Sequence, residues 1–248
     1  MPRGDFTPQA PTYAASRPTY PQPLIDELSA HVGARPGDAV ADIGAGTGLF
    51  TQTLAQRGFV VTAVEPNAAM RAQAPTLPTV RWVDGTFETT TLDDRSQRWV
   101  TAAQAFHWAD AARALPEMRR VLKPAGRFTV LWNNRLNDQS PLLAAAWRII
   151  TDARSDFDDN YRAMDWPSVL TATGDFTDVV HHEARHVITM DRVRFVNLWK
   201  SHNRLTVALG EQRMREVLGA IELLVKDAHT IDVPYLCRAW TAQVVDRG

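Results

Sequence analysis

Cysteine is nearly absent: Cys237 is the one thiol in 248 residues, so no internal disulfide can form, and a reducing, cytoplasmic setting is expected. Lysine is scarce, with the 27 basic residues almost all arginine. Net charge is missing too. The 27 Lys and Arg meet 28 Asp and Glu for a total of −1, which gives no support to a nucleic-acid partner. No apolar run reaches membrane-span length, and the Met1–Asp5 start leads into no hydrophobic signal core, so no membrane partner is expected. What remains is ordinary globular material, 45% hydrophobic and 22% charged, enough for one large α/β domain.

Six of the 15 prolines fall in residues 1–23, so this segment is expected to be extended, with little regular structure. From Leu24 the spacing is helical. Strands and helices then alternate. Ala39–Ile43 reads as a buried strand, 44–48 as a turn and 49–57 as a helix closed by Gly58. Strands are expected over 59–64, 80–83, 99–105 and 127–132, with a helix capped by Asp110 running to Leu122 and disturbed at Pro116. Short apolar strands separated by helices predict a parallel sheet covered on both faces. After Asn134 the rhythm changes to helices at 140–153, 166–173, 192–204 and 211–228, with strands at 179–190 and 230–244. This organisation is one domain over 24–248 with helical insertions at about 136–176 and 191–228, preceded by a segment over 1–23.

The central signal is Asp42-Ile43-Gly44-Ala45-Gly46-Thr47-Gly48, between a strand and a helix. Glycines there let the chain turn tightly and a ligand lie against the main chain. A dinucleotide fingerprint spaces its glycines as G-x-G-x-x-G; here the third comes one residue early and Leu49 takes its place. Asp42 would repel a pyrophosphate and welcome an ammonium. Glu65, ending the second strand, can accept both hydroxyls of a ribose. A ligand with ribose and ammonium but no pyrophosphate fits S-adenosylmethionine better than NAD.

Four stretches together, residues 41–48, 64–70, 103–108 and 119–127, resemble the class I S-adenosylmethionine-dependent methyltransferases, in their small-molecule branch of the trans-aconitate and ubiquinone-pathway kind. The resemblance covers roughly residues 13–134. It implies a doubly wound, Rossmann-like seven-stranded sheet, mostly parallel with an antiparallel last strand, and helical insertions roofing the pocket. It also implies S-adenosyl-L-methionine as cofactor. Gly44, Ala45, Gly46 and Gly48 would border its methionyl part, Glu65 would hold the ribose, and Asn67 and Met70 would flank ribose and adenine. Gly85, Thr86 and Phe87 match the loop that cups adenine. Many members carry Asp at the place of Thr86, and neighbouring Asp84 is the alternative for the amino contact. Gln104 matches a backbone contact to the methionyl end. Tyr13 and Arg17 match a stretch that folds over the cofactor, with Arg17 toward its carboxylate.

Methyl transfer from a sulfonium needs the acceptor positioned, and a base only where the acceptor must lose a proton. His107, just past the fourth strand, is the candidate catalytic base. Trp108, Trp132 and Asn133 on the same rim, and Trp199 with His202 three apart on one helix, are candidates to hold a planar small-molecule acceptor. His181, His182 and His186 lack a completing ligand, and no metal is expected. The acidic run Asp152, Asp156, Asp158 and Asp159 lacks the pattern of a calcium loop. The competing readings are an RNA methyltransferase, an oxidoreductase and a cofactor-binding scaffold without activity.

Overall fold

The computed structural model describes residues 6–157 and 164–246, so Asp158 and Asp159 of the acidic run lie outside it. In chain order the elements are α1 (Ala10–Ser16), α2 (Gln22–His31), β1 (Ala39–Ile43), α3 (Leu49–Ala55), β2 (Val60–Val64), α4 (Ala68–Arg71), β3 (Val80–Val83) and β4 (Gln97–Ala103). They continue with α5 (Ala111–Val121), β5 (Leu122–Arg135), α6 (Pro141–Ala153), α7 (Trp166–Thr171), β6 (Phe176–Asp191), α8 (Arg192–Lys200), α9 (Asn203–Leu224) and β7 (Thr230–Val244).

One seven-stranded sheet has the order β3-β2-β1-β4-β5-β7-β6, mostly parallel with the last strands antiparallel. The parallel part has a simple register: Ala39 lies beside Val60, Val40 beside Trp99, and Trp99 beside Arg127. The chain moves outward from β1 to β3, then returns to the other side of β1 as β4. That reversal opens a crevice at the carboxyl ends of β1 and β4, where ligands of open α/β sheets gather. The central strands read as continuous apolar runs because both faces are covered: Val40 to Ile43 and Val61 to Val64 are buried throughout.

The chain forms two compact units. One comprises 19–133, 161–184 and 237–248, the other 1–18, 134–160 and 185–236. The first holds two apolar clusters. One gathers Ile43, Val64, Phe106, Phe128, Trp132 and Trp166; the other gathers Leu24, Ile25, Leu28, Phe50, Phe59 and Trp99. The second unit has its own core around Leu143, Ile150, Phe195, Trp199, Leu205 and Ile221.

Two local expectations are corrected, and a third, the helix through Pro116, is met. The proline-rich start is not extended: a 3-10 turn over Thr7–Gln9 and the helix α1 occupy it. Pro11 stands in the first turn of α1, where a missing N–H costs nothing, and Ala10, Ala14 and Ala15 favour helix. The helix expected from Asp110 to Leu122 is present as α5 and runs through Pro116. Asp110 caps the helix through Ala112 N–H, and Ala114, Leu115, Met118 and Val121 bury one stripe that holds it through the lost bond. Trp199 and His202 do not share a helix: α8 stops at Lys200, and His202 caps α9 by accepting Leu205 N–H at 3.3 Å.

Candidate functional site

The turn after β1 runs through three left-handed glycines, Gly44 (φ 68°), Gly46 (φ 59°) and Gly48 (φ 79°). They differ in what surrounds them. A Cβ on Gly44 would lie 2.7 Å from Ala105 Cβ and 3.1 Å from Phe87 Cζ, so packing alone demands glycine there. On Gly48 it would meet the Trp82 ring at 3.0 Å. On Gly46 it would meet only the flexible Met70 Cε, at 3.3 Å. The N–H groups of Gly44 and Ala45 both donate to Val64 O, at 2.8 and 3.1 Å, which fastens the turn to the end of β2.

Glu65 follows directly. Its Oε2 accepts Gly46 N–H at 2.9 Å and its Oε1 accepts Asn67 N–H at 2.8 Å, so the carboxylate lies against the glycine turn. Burial pushes its carboxyl above the ordinary value, against the pull of those two N–H groups. Arg71 donates to the Glu65 carbonyl and reaches Asp84 at 3.4 Å, bracing the strand end. Asn67 is the N-cap of α4, accepting from Ala69 and Met70 N–H, and Met70 is buried beneath it. Each carboxylate oxygen retains a second acceptor position, so Glu65 can take ribose hydroxyls while holding the turn.

Asp42 is only 1% exposed. It accepts Thr51 Oγ1–H at 2.7 Å on one oxygen and Thr101 Oγ1–H at 3.0 Å on the other, joining β1, α3 and β4 under the turn. Burial pushes its carboxyl up to about 7, against those hydroxyls. These two threonines were not legible as site residues, because a lone Thr in a helix or strand carries no signal until its partner is known.

Gly85 is fixed by close packing, since a Cβ would lie 2.8 Å from Thr90 O. Phe87 is buried edge-on to Phe106, 5.4 Å between centroids, and Thr86 is exposed. Across the crevice Gln104 is left-handed (φ 59°). Its N–H donates to Leu131 O, and its Nε2 to Asn133 O at 3.3 Å. Asn133 is buried and donates Nδ2–H to Thr19 O at 3.0 Å.

A methyltransferase-domain family model matches residues 41–130, the segment that runs from within β1 through β4 and holds the glycine turn and Glu65. Residues 41–130 thus resemble a methyltransferase domain. A methyltransferase of Mycobacterium tuberculosis, itself named as uncharacterised, is 44% identical over 124 residues, covering 50% of this chain and 49% of that one. The chain thus matches about half the length of that relative. A similarly named methyltransferase of Schizosaccharomyces pombe is 25% identical over 240 residues, 94% of each chain. A solved structure from Anaeromyxobacter dehalogenans, provisionally named a type II methyltransferase, superposes with a TM-score of 0.70 over 93% of this chain and 99% of that one, at 23% identity. That likeness establishes the fold.

Within the matched segment, His107 sits in a 3-10 turn after β4, half-buried, with Trp108 beside it at 4.8 Å. Trp132 Nε1–H points to His107 Nδ1 at 3.4 Å. An indole on Nδ1 places the neutral ring's proton on Nε2, so His107 in this geometry is a donor at Nε2. Trp132 is corrected from acceptor contact to core: it is 1% exposed and stacks on Trp166 at 4.1 Å, with Trp240 edge-on at 5.9 Å.

In the other unit, Tyr13 and Arg17 belong to an ordered helix end. Arg17 lies over the Tyr13 ring at 4.5 Å and donates to Ser201 O at 3.0 Å, and Arg194 donates to the carbonyls of Ser16 and Arg17. Trp199 is a core residue there, fully buried under the Arg135 guanidinium at 3.7 Å and edge-on to Phe195. His202 is buried against Phe157 in its capping role. His181 and His186 pack against Trp240 and Tyr235, each in its own unit. Among the described residues no helix is long and apolar enough to cross a membrane.

Proposed function

We propose that the protein is an S-adenosylmethionine-dependent methyltransferase that moves a methyl group to nitrogen or oxygen of a small-molecule acceptor. The carrying observation is the Glu65 carboxylate seated against Gly46, an acceptor for a ribose diol placed beside a turn whose middle glycine faces only a flexible methionine. The early third glycine and buried Asp42 leave no cradle for a pyrophosphate, which disfavours NAD. S-adenosylmethionine supplies an electrophilic methyl group on a cationic sulfur. The chain's own work is then to place the acceptor in line.

In this reading Asn67 and Met70 flank the ribose and adenine, Gly85 to Phe87 border the adenine, and Gln104 lies toward the methionyl end. His107 and Trp108 face the acceptor. Because the indole of Trp132 occupies Nδ1, His107 orients the acceptor by donating from Nε2. A base role requires that indole contact to break. The two roles separate by substitution. His107→Asn keeps a donor, whereas His107→Ala removes both donor and base.

Calorimetry on the full chain with S-adenosylhomocysteine, S-adenosylmethionine, NAD and NADP tests the cofactor. Binding of the first two and not the nucleotides is expected, and selective binding of NAD or NADP would overturn the reading.

A further inference from the structure

His181, His182 and His186 are neighbours along β6. The fold brings together a different pair. His31 lies in the last turn of α2 and His182 on the buried face of β6, and their rings are 4.8 Å apart, centroid to centroid, at 64°. Glu27, one helical turn before His31, places Oε1 2.7 Å from His182 Nδ1. A carboxylate only accepts, so Nδ1 carries a proton, and in the neutral ring Nε2 then presents a lone pair. That Nε2 is buried without a hydrogen-bond partner, and so is Nε2 of His31. Two orphaned nitrogens on neighbouring rings are costly to desolvate, and an electrophile shared by the two rings would satisfy both.

The spacing suits one. Two imidazoles bound through Nε2 to a single metal at about 2.0–2.1 Å bring their ring centroids to roughly 5 Å. The charges around the pair also suit a cation. Glu27 and Asp178 face His31 with negative charge, and Arg127 with positive charge is itself paired to Asp178 at 3.2 Å. His181, next along β6, packs on Trp240 instead.

We propose that His31 and His182 form a binding site for a borderline divalent ion of the zinc, nickel and copper kind, ligated through both Nε2 atoms, with Glu27 orienting His182. Among the described residues no group of three His, Cys, Asp or Glu surrounds one point, so water completes the coordination and the site is weaker than a closed four-ligand one. A metal there clips the end of α2 to β6. The Glu27 carboxylate acts as the outer partner of a carboxylate–histidine–metal arrangement.

The test uses the full chain without an affinity tag, titrated with Zn²⁺ by calorimetry and with Cu²⁺ by electron paramagnetic resonance. One ion per chain is expected, with two nitrogen couplings on copper. His31→Gln should leave one nitrogen coupling and weaken Zn²⁺ binding at least tenfold, while circular dichroism and S-adenosylhomocysteine binding stay unchanged. Glu27→Gln should weaken Zn²⁺ by about 10–100-fold, the usual effect of losing an outer partner. If His182→Gln does not fold, His31→Gln and Glu27→Gln still decide. No bound zinc, or equal zinc affinity in wild type and His31→Gln, would overturn the proposal.

Discussion

Residues 39–133 and 134–236 follow different rules. In the first stretch the parallel strands are short and buried on both faces, and turns with fixed geometry join them: β1 and β2 are buried almost throughout. In the second, the antiparallel β6 buries only Phe176, His182 and Met190 among its 16 residues, and the helices bury one face each around Phe195, Trp199 and Ile221. The first kind constrains residue identity at a point, because a glycine at positive φ or an acid under a turn has no substitute. The second constrains only pattern, because many apolar residues fill a helix face equally well. The methyltransferase-domain match follows that division, covering 41–130 and stopping where the second kind begins.

The sharpest break of this contrast is within the glycine turn itself. Gly44→Val forces a β-branched residue into φ 68° and drives it into Ala105 and Phe87. Strain and overpacking together should cost roughly 3–5 kcal/mol, much of a typical domain's stability, so little native protein is expected in chemical denaturation. Gly46→Ala meets only a methionine methyl, so it should fold and instead lose S-adenosylhomocysteine binding. If the two variants behave alike, the turn has no division between packing and ligand positions.

Asp42 extends the contrast to pH. Its carboxyl holds a proton up to about 7 in the fold, whereas an unfolded Asp releases it near 3.8. Between those values the native state binds more protons, so its contribution makes stability fall as pH rises, by on the order of 4 kcal/mol. Glu117 has the opposite sign. Hydrogen bonds from Arg120 and Thr90, against burial, depress it to about 2, so its contribution is lost on acidification below about 4.5. Subtracting the Asp42→Asn stability curve from that of wild type should isolate a fall between about pH 4 and 7. A flat difference would show that Asp42 is ionised in the fold.

Much of the first stretch was legible from the sequence, for a physical reason. The glycine turn, Glu65 at a strand end and the order of β1 to β5 are local features whose chemistry depends on residues close in the chain. The failures were those of long-range partners. Trp132 reads as a rim aromatic until Trp166 and Trp240 are found beside it. Asp42 reads as an open acid beside the turn until its burial and its Thr51 and Thr101 partners are found. The start of the chain failed differently, since counting prolines ignored that a proline in a helix's first turn costs nothing.

A smaller effect sharpens the ligand side. Glu65→Ala removes an ionised acceptor and should weaken S-adenosylhomocysteine binding by about 1.5–3 kcal/mol, roughly 10–150-fold. Calorimetry with unchanged affinity would remove Glu65 from the cofactor site. The variant should also loosen the turn, since Gly46 and Asn67 lose their acceptor, so its melting temperature should fall too.

The smallest effect lies in the second stretch and asks whether its pattern-built packing carries any point constraint. Arg17 ends α1, stacks on Tyr13 and donates to Ser201 O on the turn after α8. Arg17→Ala removes one neutral-acceptor hydrogen bond and one partly exposed cation–π contact, together about 1 kcal/mol of stability. If α1 also closes over the cofactor, S-adenosylhomocysteine should bind a few-fold more weakly, and Arg17→Lys should recover charge but not the flat stacking on Tyr13. The two measurements separate the roles. Lower stability with an unchanged dissociation constant would confine Arg17 to holding α1 against α8, whereas a raised constant in both variants would make this arginine a point constraint like those of the glycine turn.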